Sequence, residues 1–368
     1  MSAPTFAVTA IEGKEATNPL GIIRLDHIQM TGPIEKLEPL YRRMGFARVA
    51  SNQGAWGRMV HLRQNKMDIA IAESDGSTQF GAYFAQHGEG ANALAFEVDD
   101  CDAALQEATK RGAKIRLEPV TQDFQEGHLK VAAIQGFGDV WNYLVERRGQ
   151  QDCFIMQTTK DELPALSFPG LLRVDHLTNN VGVGEMDRWV EFYESIYGFV
   201  VTREFKIRGS LGTGLNSKVV QSSNNRIIIP INEPTDSKSQ IQEYVNRHRG
   251  PGVQHIAMGT ADIMDTLPKL QSQGFNFLRT PDTYYELLPG RIANGGYTVT
   301  ESLDRVKQIG IQIDGDQTGY LLQIFTEDQI GPLFFEVIQR RGNRGFGEGN
   351  FQALFDSIEL DQKRRGVL

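Results

Sequence analysis

The chain is written twice, and that repeat sets the strongest limit on what it can fold into. IIRLDHIQM near the start returns as LLRVDHLTN in the second half, so Asp26-His27 falls on Asp175-His176. Apolar and polar residues alternate in each opening, the mark of a strand. Each is followed by a short amphipathic helix that ends at Gly-Phe. IEKLEPLYRRMGF places Leu37, Leu40, Tyr41 and Met44 on one face, and MDRWVEFYESIYGF does the same with Met186, Trp189, Tyr193 and Ile196. Gly45 and Gly198 stand where a left-handed helix cap needs no Cβ. Strand pairs come next, WGRMVHL with MDIAIAE in the first half and SKVVQS with RIIIPIN in the second.

The pattern then restarts. ANALAFEVDDCDAALQEATKRGA aligns with VQHIAMGTADIMDTLPKLQSQGF, which sets Ala93 against His255. The run to the helix-ending glycine is 19 residues in both copies (93 to 112, 255 to 274). NYLVERRG aligns with FEVIQRRG and sets Tyr143 against Glu336. Each half is thus two strand–helix–strands units. Four such units imply an α+β chain of tandem βαβββ modules, built as strongly curved mixed sheets with helices outside.

With 368 residues, the chain has the length of two domains at roughly 150 residues each. The expected division is a flexible arm over 1–18, a first domain over 19–150, a linker over 151–168 and a second domain over 169–368. The second half carries an insertion near 281–318, rich in Gly, Pro and turn residues. It reads as a long ordered loop with a short helix near 301–308.

The net charge of -8 disfavours phosphate backbones and anionic membrane surfaces as partners. Two cysteines, Cys101 and Cys153, make no disulfide framework and no cysteine zinc site. They read as reduced, packed thiols. The N-terminus lacks a basic region followed by an apolar run, and no apolar stretch reaches the ~18 residues of a membrane helix. A cytoplasmic protein is expected.

The repeat also singles out three residues among few candidates, since the chain has seven histidines. His176, His255 and Glu336 each lie in a different strand motif, 79 residues (176 to 255) and 81 residues (255 to 336) apart. Such gaps suit ligands that project from separate strands into one concave sheet. Glu336 sits in the apolar run GPLFFEVIQ, where a lone buried carboxylate is costly and calls for a cation. Two imidazoles and one carboxylate on one octahedral face leave three positions open, the arrangement of non-haem iron(II) oxygenases. Packed histidines, with Glu336 paired to Arg340 or Arg341, are the plain alternative. The first half has His27 but Ala93 and Tyr143 at the other positions, so it cannot build the triad. It is expected to be metal-free.

The second half resembles the 4-hydroxyphenylpyruvate dioxygenase family of the vicinal-oxygen-chelate superfamily. The matching stretches include VDHLTNNV (174–181), LNSKVV (215–220), IPINEP (229–234), KSQIQEYV (238–245), GPGVQHIAM (250–258), PDTYYELL (281–288), LLQIFTE (321–327), GPLFFEVIQRRG (331–342) and the carboxyl-terminal run from Gly345. They span about 200 residues; the first half resembles the family's N-terminal domain more loosely. The resemblance implies two open curved-sheet barrels of the vicinal-oxygen-chelate, glyoxalase-like fold. It implies iron(II) held by His176, His255 and Glu336. It also implies catalytic roles for Ser217, Asn232, Gln240 and Gln323, and a substrate pocket with Pro230, Gln254, Phe325, Phe334, Phe346 and Phe351. Gln254 fits poorly, because it neighbours His255 and adjacent strand residues point oppositely, unless a bulge lies there.

The carboxyl-terminal GFGEGN reads as a hinge, with Asn350 as cap of a helix whose apolar face is Phe351, Phe355 and Ile358. The resemblance makes that helix a lid over the metal. It implies oxidative decarboxylation and ring hydroxylation of 4-hydroxyphenylpyruvate by dioxygen, with side-chain migration, giving homogentisate and carbon dioxide in tyrosine catabolism. A homo-oligomer, tetramer or dimer, is implied as well. Hydroxymandelate synthase on the same substrate is the nearest alternative. A metal-free small-molecule binding protein is the alternative of another class.

Overall fold

A computed structural model describes residues 7–10, 15–54, 57–73, 78–124, 127–149, 159–208 and 214–354. The chain begins with β1 (Ala7–Ala10), β2 (Ile22–Thr31), α1 (Ile34–Arg43), β3 (Ala47–Gly54), β4 (Gly57–Gln64), β5 (Met67–Glu73) and α2 (Gln79–His87). It continues with β6 (Gly90–Val98), α3 (Cys101–Lys110), β7 (Ile115–Phe124), β8 (Gly127–Gln135), β9 (Trp141–Arg148) and β10 (Thr159–Leu163). The second half repeats the plan with β11 (Leu171–Asn180), α4 (Met186–Tyr197), β12 (Val200–Arg208), β13 (Gly214–Gln221), β14 (Ile228–Pro234) and α5 (Gln240–His248). It ends with β15 (Gly252–Thr260), α6 (Ile263–Ser272), α7 (Asp282–Gly295), α8 (Leu303–Ile309), β16 (Gln312–Asp316), β17 (Gly319–Phe325) and β18 (Phe334–Arg341).

Two nine-stranded sheets result, and they share one topology. The first runs β10-β3-β4-β5-β2-β6-β9-β8-β7 and the second β1-β12-β13-β14-β11-β15-β18-β17-β16. In each, two four-stranded modules meet along one antiparallel seam, β2 with β6 or β11 with β15. This is the expected vicinal-oxygen-chelate arrangement of βαβββ modules. The helices cover the outer face, and one apolar core runs through both halves, from Ile28 and Phe96 to Ile256 and Phe335. Matching ends of α2 and α5 also meet: the His87 and His248 rings stack at 4.4 Å, and Tyr83 Oη lies 2.9 Å from His248 Nε2.

The two seams are irregular at the same places. β2 and β6 shift register between Ile22 and Arg24, Leu25 and His27, and Gln29 and Met30. β11 and β15 shift between Leu171 and Arg173, Val174 and His176, and Thr178 and Asn179. A bulge inserts one residue and turns adjacent side chains toward the same side. The extra residues at the second shift are Asp26 and Asp175; at the third they are Asn92 and Gln254.

Three local expectations change. Part of the arm expected to be flexible, Ala7–Ala10, pairs antiparallel with β12 as the edge of the second sheet. Part of the expected linker, Thr159–Leu163, pairs with β3 as the edge of the first. The insertion is no long loop: it folds into α7, α8 and β16. Pro289 inside α7 and the glycines around it mimic a loop in sequence. Burial of Tyr284, Tyr285 and Leu288 on one face overrides them, and Gly296 closes the helix at φ 69°. Cys101 is a buried free thiol, pushed up to about 12 by burial; Cys153 lies outside the described residues.

Candidate metal centre

The three residues singled out by the repeat lie on neighbouring strands of the second sheet: His176 on β11, His255 on β15 and Glu336 on β18. His176 and Glu336 both face Ala257 across their strand pairings, so a small side chain leaves room between them. The ligand atoms lie within 4.8 Å of one another, and all three residues are buried. One carboxylate oxygen, Glu336 Oε2, stands 3.2 Å from His176 Nε2 and 3.4 Å from His255 Nε2.

The bulges explain why the rings point this way. Asp175 immediately precedes His176 and Gln254 immediately precedes His255. On a regular strand each would face away from its neighbour. Each occupies a bulge, and each places an oxygen on its neighbour's Nδ1: Asp175 Oδ1 at 2.9 Å and Gln254 Oε1 at 3.2 Å. An acceptor at Nδ1 keeps the proton there and leaves the Nε2 lone pair free for a metal. Gln254 therefore meets His255 directly and is not among the residues lining the cavity. Arg340 in turn clamps Asp175 through two hydrogen bonds, 2.6 and 2.9 Å.

Charge at the centre also fits a cation. Glu336 is 1% exposed, and its Oε1 is buried with no hydrogen-bond partner. Such a carboxylate needs a compensating positive charge. Burial works against ionising it, yet the two histidines hold it down at about 2. Burial likewise opposes a charge on His176, but Glu336 and Asp175 outweigh it and push the imidazole up to about 9. His255 is lowered by burial. A proton on His176 balances Glu336 in this arrangement, and a divalent cation among the three atoms would replace it.

The cavity over these ligands is lined by Thr178, Phe205, Ile207, Leu215, Ser217, Pro230, Asn232, Phe325, Phe346, Glu348 and Phe351. Six of the expected pocket residues are among them. Ser217 and Asn232 face each other across β13 and β14, so two polar groups share one patch of the wall. Phe346 stands edge-on to His176 at 5.3 Å. Phe334 is not among the lining residues; it stacks on His255 at 4.9 Å and stands edge-on to Phe325 at 6.1 Å. Gln323 is fully buried beside Gly347, where any side chain would collide with its amide, and both its amide atoms lack partners. Gln240 is exposed at the start of α5 and is not brought to the centre. Sequence reading missed Thr178, Phe205, Ile207, Leu215 and Glu348. Strand parity offered a signal for two of the pairs, since Leu215 shares a face with Ser217, and Phe205 with Ile207.

The cavity measures about 40 Å³, far below the ~300 Å³ of a typical ligand pocket. The carboxyl-terminal segment closes it. Glu348 is held by Arg203 at 3.0 Å and accepts the Phe346 N–H at 2.7 Å. Residues 348–354 are helical, and Asn350 lies inside that helix and does not cap it. Its side chain instead meets Tyr284 and Arg291 of α7, at 2.6 and 3.2 Å. Phe355, Ile358 and the rest of the expected lid helix lie outside the described residues.

Known proteins resemble this chain over nearly its whole length. Residues 16–158 match the family described as hydroxyphenylpyruvate dioxygenase, N-terminal. Residues 173–288 match the glyoxalase, bleomycin resistance protein and dioxygenase superfamily. The 4-hydroxyphenylpyruvate dioxygenase of Pseudomonas aeruginosa is 40% identical over 98% of this chain and 100% of its own length. That of Legionella pneumophila is 40% identical over 95% of this chain and 98% of its own. Among solved structures, a mutant 4-hydroxymandelate synthase from Streptomyces coelicolor superposes with a TM-score of 0.76 at 27% identity, covering 93% of this chain and 99% of that one. With its fold, its buried His-His-Glu cluster and these full-length relatives, the chain belongs to the 4-hydroxyphenylpyruvate dioxygenase family.

Proposed function

We propose that the second half holds iron(II) through His176, His255 and Glu336, and that the chain converts 4-hydroxyphenylpyruvate and dioxygen to homogentisate and carbon dioxide. The observation that carries the metal is the Glu336 carboxylate, buried and set between two Nε2 atoms whose partner nitrogens are already occupied. A metal-free binding protein would have no use for it. Iron(II), when bound, supplies the redox chemistry by which dioxygen decarboxylates the 2-oxo acid and hydroxylates the ring.

The protein's own residues do the positioning. Phe325, Phe346 and Phe351, with Phe205, Ile207 and Leu215, give the aromatic ring an apolar slot and keep water out. Ser217 and Asn232 offer hydrogen bonds to the polar ends of the substrate, and Gln323 offers a third once the tail shifts. A cavity of about 40 Å³ does not admit a phenylpyruvate, so the segment carrying Phe346, Glu348 and Phe351 moves for substrate to enter. Closure afterwards shields the reaction from solvent.

Among the described residues no helix is long and apolar enough to cross a membrane. A cytoplasmic homo-oligomer, acting in tyrosine breakdown, is the setting we assign. The test is chromatographic identification of the product from iron-loaded protein, 4-hydroxyphenylpyruvate and oxygen. Homogentisate is expected. Hydroxymandelate as the main product would move the chain to the synthase reaction, and absence of oxygen uptake would overturn the assignment.

A further inference from the structure

A second cavity, of about 1020 Å³, lies between the two halves. It touches the metal pocket at one residue: Phe346 lines both. Its walls carry eight cationic side chains against three carboxylates, Asp26, Asp68 and Asp175. Those three are already engaged. Asp26 holds Arg147, Asp68 holds Arg63 and Asp175 holds Arg340. Of the eight cations, Arg63 pairs with Asp68, Arg340 and Arg173 with Asp175, Arg24 with Glu97 and Arg203 with Glu348; Lys66, Arg226 and Arg344 remain, and none of them forms an ion pair with a carboxylate among the described residues. Lys66 belongs to the first half and the two arginines to the second, so both halves contribute exposed, unpaired cations to the border of the cleft.

This concentration runs against the chain as a whole, whose net charge is -8. A cleft with walls of low dielectric focuses the field of its charges and raises the local concentration of counter-ions. The substrate and product of the reaction proposed above are both carboxylate anions, and the cleft ends at the aromatic side chain that separates it from the metal.

We propose that this cleft is the vestibule of the metal pocket, a weak binding site for aromatic carboxylates that gathers substrate at Phe346 and receives product there. The inference rests on the proposed reaction, and its signature is the sign of a salt effect. The overall charge of -8 by itself repels an anion, so added salt would raise kcat/KM. A cationic vestibule demands the reverse. Between low salt and about 0.5 M NaCl, kcat/KM for 4-hydroxyphenylpyruvate should fall about 5-fold, with kcat changing less than about 2-fold. The Lys66→Glu/Arg226→Glu double variant should have about 10-fold lower kcat/KM at low salt and lose the salt dependence. Lys66→Gln/Arg226→Gln, a milder change, should show about a 3-fold deficit that closes at high salt.

A kcat/KM that is flat or rises with salt, or a charge-reversed variant that keeps the wild-type salt response, overturns the vestibule. Titration with benzoate, read by saturation-transfer NMR, tests the site without turnover. Wild type should bind it more tightly than the double variant at low salt, and equal binding overturns the proposal. Absence of turnover with intact benzoate binding would defeat the reaction and leave the anion site standing.

Discussion

His27 and His176 occupy the same strand position in two copies of one sheet. Each has an aspartate on its Nδ1, at 2.8 and 2.9 Å, and each aspartate is held by an arginine, Arg147 or Arg340. The seams around them bulge at the same three places. Yet the first half sets Ala93 where the second sets His255, and buries Tyr143 where the second buries Glu336. Apolar neighbours such as Leu129, Val131 and Val145 fill the space around Tyr143. The aspartate–histidine–arginine group and the bulges therefore belong to the fold, since they persist where Ala93 and Tyr143 replace the other two members of the cluster. Metal chemistry needs only two further side chains, delivered by strands that the fold has already aimed.

Breaking the ligands should give the largest contrast. Glu336→Gln should abolish stoichiometric iron and lower turnover by ~10³-fold or more, read by metal analysis and oxygen uptake. Tyr143→Phe, at the matching position, should leave both within about 2-fold. Similar losses in the two variants would mean that the halves share the chemistry. A smaller effect belongs to the bulges. Gln254→Leu removes the acceptor on His255 and should weaken iron binding by about 10- to 100-fold in a competition titration with a chelator. Asn92→Leu, in the first-half bulge, should not change it.

The two arginines sharpen the comparison further. Arg340→Lys forfeits the two-pronged grip on Asp175 and the hydrogen bonds to the Asn343 and Gly345 carbonyls, 3.3 and 2.6 Å. About a 10-fold rise in the iron dissociation constant is expected. Arg147→Lys should instead appear only as lost thermal stability, by about 1–3 kcal/mol in a denaturation series. The smallest effect is one of pH. His176 in metal-free protein titrates near 9, above its usual 6.5. A raised folded-state value contributes stability that is complete below pH 6.5 and is lost as pH rises through 9. Metal-free protein should therefore lose about 5 °C in melting temperature over that window, beyond any loss shown by Glu336→Gln. Iron-loaded protein should lack this step.

The clustering of His176, His255 and Glu336 was legible in sequence because the repeat supplied a register: Ala93 and Tyr143 show where His255 and Glu336 must fall. Gln254 was legible as an anomaly, a polar residue out of parity, and the bulge resolved it. The insertion was legible only in its short helix, expected near 301–308 and found as α8, Leu303–Ile309. Helix α7 depends on Tyr284 and Tyr285 reaching Ile313 and Ile311 across the fold, contacts that outweigh its internal proline and have no local signature. Gln240 lies apart from the cluster, exposed at the start of α5, because a helix start says nothing of the direction its first side chain takes. Glu348 was missed because its role comes from Arg203, 145 residues away.

The crossed edge strands have a practical consequence. Someone wishing to excise the second half as a free-standing unit would begin near residue 169 and would leave β1 behind, since that strand is Ala7–Ala10. The cut would bare the outer side of β12, a run of unpaired backbone donors and acceptors ready to recruit another chain. The first half, ended at 150, would lose β10 and bare β3 in the same way. Two copies of one plan have been stitched by their selvedges, and unpicking the seam would give sticky fragments.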